Sequence, residues 1–221
     1  MNDSIKPSIN NTLQRFTTKF NLDLSQKSPI KVTNVTRTEM AKFFHDMDFK
    51  VGAEIGVAQG WYSEILCREN PQAKLYAVDV WQQYEGFNEY KDRIDRYYEA
   101  AKALLAPYNC ELIKKFSMDA IKDFADNSLD FVFIDGAHDF KNVAMDIYEW
   151  AKKVRPGGIV FGHDYKRSKG KYIVEVKDVV QAYMYGKEIK PWFALENNIP
   201  DPKFARDNPC WMFIRSEGDR L

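Results

Sequence analysis

The sequence predicts an α/β domain built on a doubly wound, mostly parallel sheet. Three observations carry this. Short apolar runs alternate with longer segments of helical period from residue 51 onward. The runs are almost continuously apolar, as strands covered on both faces require. The first run, Val51-Gly52-Ala53-Glu54-Ile55, leads through Gly56 and Gly60 into a helix beginning near Trp61. Glycines there permit a sharp turn and a close backbone approach to a ligand, and the helix behind them points its amides at that place.

The remaining elements follow in order. Residues 1–35 are polar, with Leu13, Phe16, Phe20 and Leu22 spaced for one helix over a site or against a second subunit, or else for a loosely ordered arm. Thr36-Arg37-Thr38-Glu39 has the form of a capping box, and Met40, Phe43, Phe44 and Met47 continue a helix containing His45. Strand 51–55 and helix 61–69 come next, and Asn70-Pro71 stops the helix. A strand over 74–79 ends on Asp79, a helix spans roughly 87–106, and a third strand covers 110–113. Met118 to Ala125 forms a short helix, strand 130–135 ends on Asp135, and helix 139–154 carries Val143, Ile147, Trp150 and Val154 on one face. Arg155-Pro156-Gly157-Gly158 is expected as a turn before strand 159–164. A basic loop (Lys166 to Lys171), a helix near 173–185 and strands near 190–195 and 209–215 close the chain. The turn-rich Asn197–Pro202 segment makes the last two strands a hairpin, so the final strand runs antiparallel. The chain divides into an N-terminal arm and helix, 1–49, and a binding domain, 50–221.

Composition limits the function. At 221 residues, 45% hydrophobic and 29% charged, the chain has the makeup of one soluble globular domain with additions. Thirty-two basic and thirty-two acidic residues cancel, which argues against a nucleic-acid partner. No apolar run is long enough to span a bilayer, so no membrane partner is expected. Cys67, Cys110 and Cys210, odd in number and set among apolar residues, read as reduced thiols of a cytoplasmic protein.

In open α/β sheets, ligands lie beyond the carboxyl ends of the strands, near the switch in strand order. Glu54, Asp79, Asp135, His163 and Asp164 all fall at or near such ends. Each has an ordinary alternative, a helix cap for Asp135 or a solvated loop residue for Asp79. Five together from distant segments point to a site.

The E-x-G-x-x-x-G stretch at Glu54, Gly56 and Gly60 lacks the third glycine of a dinucleotide fingerprint. It resembles the first motif of the class I S-adenosylmethionine-dependent methyltransferases. Phe133-Ile134-Asp135-Gly136-Ala137-His138, and Arg155-Pro156-Gly157-Gly158 leading to Gly162-His163-Asp164-Tyr165, are more specific. With them the chain from about 50 to 215 resembles small-molecule O-methyltransferases of the macrocin and mycinamicin type and, more distantly, the catechol type.

The resemblance implies a Rossmann-like, seven-stranded, mostly parallel sheet with an antiparallel last strand and helices on both faces. It implies that Glu54, Gly56 and Gly60 hold the methionine end of S-adenosyl-L-methionine and that Asp79 accepts from the ribose hydroxyls. Ser117, Met118 and Asp119 would flank the adenine, and Asp135 would border the cofactor. It implies a divalent metal, Mg²⁺ or Mn²⁺, on Asp135 and Asp164. His138 is the first candidate for general base; His163 is the second, or a third metal ligand. Relatives of the macrocin type usually carry an acid at the position of His163, and the catechol type an amide at that of Tyr165, so a nitrogen ligand here shifts preference from Mg²⁺ toward Mn²⁺, Fe²⁺ or Zn²⁺.

The expected acceptor is a small molecule, a sugar or an aromatic ring. The basic loop at 166–171 would suit an anionic one. A homo-oligomer is left open. Two rivals have their own signatures. A non-catalytic binding module would keep Asp79 and lose Asp135, His138 and Asp164; a nicotinamide-dependent oxidoreductase would need the missing glycine.

Overall fold

Alternating apolar runs form the strands, and the helices between them cover both sheet faces. The computed structural model describes residues 9–84, 93–170, 173–196 and 207–219. The strands of the main sheet are β1 (Ile30–Thr33), β2 (Val51–Ile55), β3 (Lys74–Asp79), β4 (Cys110–Lys114), β5 (Leu129–Ile134), β6 (Val154–Gly162), β9 (Trp192–Glu196) and β10 (Cys210–Ile214). A separate two-stranded ribbon, β7 (Ser168–Lys169) with β8 (Ile173–Val174), occupies the basic segment. The helices are α1 (Ile9–Phe20), α2 (Arg37–Asp46), α3 (Trp61–Glu69), α4 (Ile94–Leu105), α5 (Ser117–Ala120), α6 (Phe140–Lys153) and α7 (Val176–Gly186).

The order across the main sheet is β1-β9-β10-β6-β5-β2-β3-β4. It reverses between β2 and β5, which pair in parallel, and open α/β sheets bind their ligands at such a reversal. β10 runs antiparallel to both β6 and β9, as expected for the last strand. The sheet has eight strands rather than seven because Ile30–Thr33 joins its edge, parallel to β9. Ile30 and Val32 turn inward and Lys31 and Thr33 outward, a four-residue alternation too short to stand out in the sequence.

One face buries Ile147, Trp150, Val179 and Val180 of α6 and α7 against Ala53, Val132 and Val160. The other buries Phe16 of α1, Phe43 and Phe44 of α2 and Ile65 of α3 against Phe131, Phe161 and Phe193. α4 adds Ala101 and Leu105 against Ala77 and Trp81. Phe16 is fully buried, its ring 5.3 Å from Phe43 and 4.9 Å from Phe193, and Thr12 Oγ1 donates to the Gly157 carbonyl at 2.7 Å. The stripe at Leu13, Phe16 and Phe20 therefore belongs to a helix packed on the sheet.

Local chemistry sets the boundaries. Thr36 caps α2 by accepting from the Glu39 amide at 3.1 Å, and Asp139 caps α6 by accepting from that of Asn142 at 3.1 Å. Arg155–Gly158, expected as a turn, instead opens β6. Gly157 at φ +78° and a register shift between Leu129 and Phe131 let the segment stay paired beside β5. The buried Asp130 carboxylate accepts from Arg155 Nε at 2.6 Å and from the Lys50 and Val51 amides at 2.6 and 2.9 Å, tying the starts of β2, β5 and β6 together. The helix expected over 87–106 is described from Ile94; the 85–92 stretch and the Asn197–Pro202 turn lie outside the described residues. No described helix is long and apolar enough to cross a membrane.

Candidate active site

Parallel register places the candidate residues side by side. Ile55 pairs with both Val78 and Ile134, and Ile134 with Gly162. The next residues, Gly56, Asp79, Asp135 and His163, therefore emerge at one end of four adjacent strands. The Asp135 amide donates to the Ile55 carbonyl at 2.7 Å, and that of His163 to the Ile134 carbonyl at 3.0 Å, so the loops leave the sheet in step.

Two acids and two histidines meet there. His138 Nε2 lies 2.9 Å from Asp164 Oδ2 and 3.7 Å from Asp135 Oδ1. His163 Nδ1 lies 3.3 Å from Asp135 Oδ1, and its Nε2 2.8 Å from Asp207 Oδ1. Asp135, His138 and Asp164 each offer one ligand atom within 4.8 Å of the other two, a donor set a divalent ion would suit. His163 stands behind this group with a carboxylate at each ring nitrogen. Asp164 adopts φ +52°, a left-handed conformation that glycine, asparagine and aspartate take more readily than other residues, and the Asn208 amide donates to its Oδ1 at 2.6 Å.

The electrostatics follow from burial and neighbours. Burial raises a carboxyl pKa, yet His163, His138 and Arg37 outweigh it at Asp135 and hold that group well below the usual carboxylate range. Asp164 is likewise lowered against its burial, chiefly through its hydrogen bond with His138. Burial disfavours the His163 imidazolium, but Asp135 and Asp207 prevail and raise its pKa to about 9.

The residues expected around the cofactor are arranged less uniformly. Asp79 Oδ2 accepts from the Val57 and Ala58 amides at 2.9 and 2.8 Å, and Trp81 Nε1 donates to the Ala58 carbonyl at 2.8 Å. Asp79 and Trp81 thus hold the glycine loop in shape. Gly56 sits at φ +89°, where a Cβ would come within 2.1 Å of the Asp135 carbonyl oxygen; the close approach it permits is between two strand-end loops. Gly60, at φ +82°, starts α3. Glu54 is buried, with Ser63 Oγ donating to its Oε2 at 2.5 Å, and burial pushes its pKa well above normal.

Ser117 turns inward, donating to Asp146 Oδ1 at 2.5 Å and accepting from Trp150 Nε1 at 2.8 Å. Met118 packs half-buried against the core. Asp119 is exposed and pairs with Lys122 at 2.8 Å.

Arg37, Asp207 and Asn208 belong to no motif that would mark them as site residues in the sequence. Arg37 lies in a helix start and the other two before the last strand, far in sequence from the motifs they support.

A family model described as a methyltransferase domain matches residues 53–165, from β2 through the candidate acids. The chain belongs to the methyltransferase domain family. The match includes Glu54, both loop glycines, Asp79 and all four of Asp135, His138, His163 and Asp164; Arg37 and Asp207 fall outside it. Solved methyltransferases share the fold. An O-methyltransferase from Bacillus cereus, in complex with SAH, is 17% identical with a TM-score of 0.59, over 96% of this chain and 94% of that one. An rRNA methylase from Streptococcus thermophilus is 14% identical, with a TM-score of 0.56 over 83% and 98% of the two chains. The N-methyltransferase NodS from Bradyrhizobium japonicum is 15% identical, with a TM-score of 0.51 over 76% and 87%. Oxygen, nitrogen and RNA methylation all occur on this architecture, so the methyltransferase fold leaves the acceptor to the site. Uncharacterized protein y4gI of Sinorhizobium fredii is 25% identical over 115 residues, 52% of this chain and 12% of that protein, so the chain spans a small part of that relative's length.

Proposed function

We propose that this methyltransferase uses S-adenosylmethionine to methylate a hydroxyl of a small molecule, a sugar or an aromatic ring. The observation that carries the reading is the Asp135–His138–Asp164 group beside the glycine loop, at the reversal in strand order. The sulfonium methyl is already electrophilic. The protein's tasks are to align an oxygen with it and to remove that oxygen's proton.

His138 is suited to take the proton, and the Asp164 carboxylate, 2.9 Å from Nε2, stabilises the imidazolium that results. The loop fastened by Asp79 and Trp81 holds the cofactor's methionine end, with the backbone at Ser117 and Met118 toward the adenine, since the Ser117 hydroxyl is taken by Asp146 and Trp150. The Asp135 and Asp164 carboxylates fit a divalent cation, and a nitrogen donor beside them would favour Mn²⁺, Fe²⁺ or Zn²⁺ over Mg²⁺. Such an ion, when bound, supplies Lewis acidity that lowers the acceptor's pKa. The mutual proximity of all three donor atoms favours a second reading, in which His138 is itself a ligand.

The neighbouring loop carries Lys166 and Arg167, paired with Asp164 at 3.4 Å and Asp178 at 3.0 Å, and an anionic acceptor is the class such cations would attract. The balanced charge of the chain supports a small molecule over RNA.

The test is release of S-adenosylhomocysteine from S-adenosylmethionine across a panel of sugar and phenolic acceptors. Turnover with a hydroxyl compound, lost in Asp135→Asn and His138→Ala, is expected. Turnover only with amines or RNA would overturn the proposal. Mn²⁺ binding retained by His138→Ala assigns His138 as base, and its loss assigns it as ligand.

A further inference from the structure

Behind the candidate metal group lies a closed ring of four polar side chains. Arg37 Nε donates to Asp207 Oδ2 at 2.7 Å and its Nη2 to Asp207 Oδ1 at 2.8 Å, a two-pronged pair. Asp207 Oδ1 meets His163 Nε2 at 2.8 Å, and His163 Nδ1 faces Asp135 Oδ1 at 3.3 Å. Arg37 Nη1 closes the ring at 3.8 Å from Asp135 Oδ2. The side chains of Arg37 and Asp207 are only 8% and 4% exposed.

Four separate segments build this ring: the first residue of α2, the end of β5, the end of β6, and the residues before β10. Taking ionic groups out of water is costly, and well-packed apolar side chains in their place are often neutral or stabilising. Stability alone is therefore a poor reason for such a ring. Its geometry offers another. Asp135 has a neighbour at each oxygen, His163 Nδ1 at Oδ1 and Arg37 Nη1 at Oδ2, so its carboxylate is held from both sides. Arg37 is fixed in turn by Asp207 and by Tyr62, whose ring centroid lies 5.2 Å from the guanidinium and whose hydroxyl donates to the Arg37 carbonyl at 3.1 Å. The same short segment that supplies Asp207 also supplies Asn208, which holds Asp164.

We propose that Arg37 and Asp207 are positioning residues that, through His163, set the Asp135 carboxylate for a divalent cation shared with Asp164. This rests on the metal reading above. It adds that the site's geometry is imposed by residues outside the motif-bearing strands and outside the family match.

The experiment is Mn²⁺ binding to the full chain by calorimetry, with thermal unfolding and S-adenosylhomocysteine binding measured on the same samples. Three variants are compared: Asp207→Asn, Arg37→Met, and the double Arg37→Met/Asp207→Leu, which replaces the ion pair by apolar groups. Loss of groups that orient metal ligands typically weakens metal binding about 10- to 100-fold. That loss is expected in Asp207→Asn and in the double variant, with S-adenosylhomocysteine affinity unchanged. In the double variant, restored thermal stability with Mn²⁺ affinity still reduced separates positioning from support of the fold. Wild-type binding with undiminished affinity in a folded double variant would overturn the ring's role alone. A wild type that binds S-adenosylhomocysteine but no Mn²⁺ would overturn the metal reading and the ring's role with it.

Discussion

Asp146 shows what burial does to one carboxyl group and how that can be measured. Its burial raises its pKa to about 7 against an ordinary 3.8, with only the Ser117 hydroxyl opposing the shift. The folded chain therefore keeps this proton where the unfolded chain has lost it. The resulting stability is fully present below pH 3.8 and is lost as pH rises through about 7. Asp146→Asn keeps an acceptor for Ser117 without the charge. Thermal or urea unfolding should show it more stable than wild type by about 2–4 kcal/mol at pH 8 and nearly equal at pH 4. Asp79 has a mechanical role, its side chain holding the Val57 and Ala58 amides. Asp79→Ala should loosen the loop, weakening S-adenosylhomocysteine binding by ten-fold or more, ~1.4 kcal/mol, while Asp164→Ala should leave that binding intact.

At the scale of elements, the glycine loop and α1 carry separate predictions. An alanine at position 56 would have to adopt φ +89° with its Cβ inside the Asp135 backbone. Gly56→Ala should cost at least ~2 kcal/mol in urea unfolding and disturb the Asp135 loop with it. Phe16→Ala should cost about 3–5 kcal/mol, because that ring is fully buried among Phe20, Phe43 and Phe193. A loss under 1 kcal/mol would mean that α1 is an appendage after all.

The strands were legible because their apolar runs are bounded by Asn-Pro, Pro or Gly, and Trp61–Glu69 could be read to the residue. Ile30–Thr33 was not, since four alternating residues fit a loop equally well. The acids at strand ends were legible from fold position alone. Their partners were not: Arg37 reaches Asp207 across 170 positions, and no local pattern encodes such a pair.

For the whole molecule, strand order does more than any one motif. It brings the ends of β2, β3, β5 and β6 into a row and sets the acid–histidine group next to the glycine loop. The central claim is that this crevice binds the methyl donor and its demethylated product. Thermal unfolding with S-adenosylhomocysteine, and with NAD as the control, tests it most directly. A ligand at about 100 times its dissociation constant stabilises by ~2.7 kcal/mol, or roughly 5–10 °C for a domain of this size. That rise with S-adenosylhomocysteine and none with NAD is the expected result. A rise with NAD alone, or none with saturating S-adenosylhomocysteine, would contradict the account.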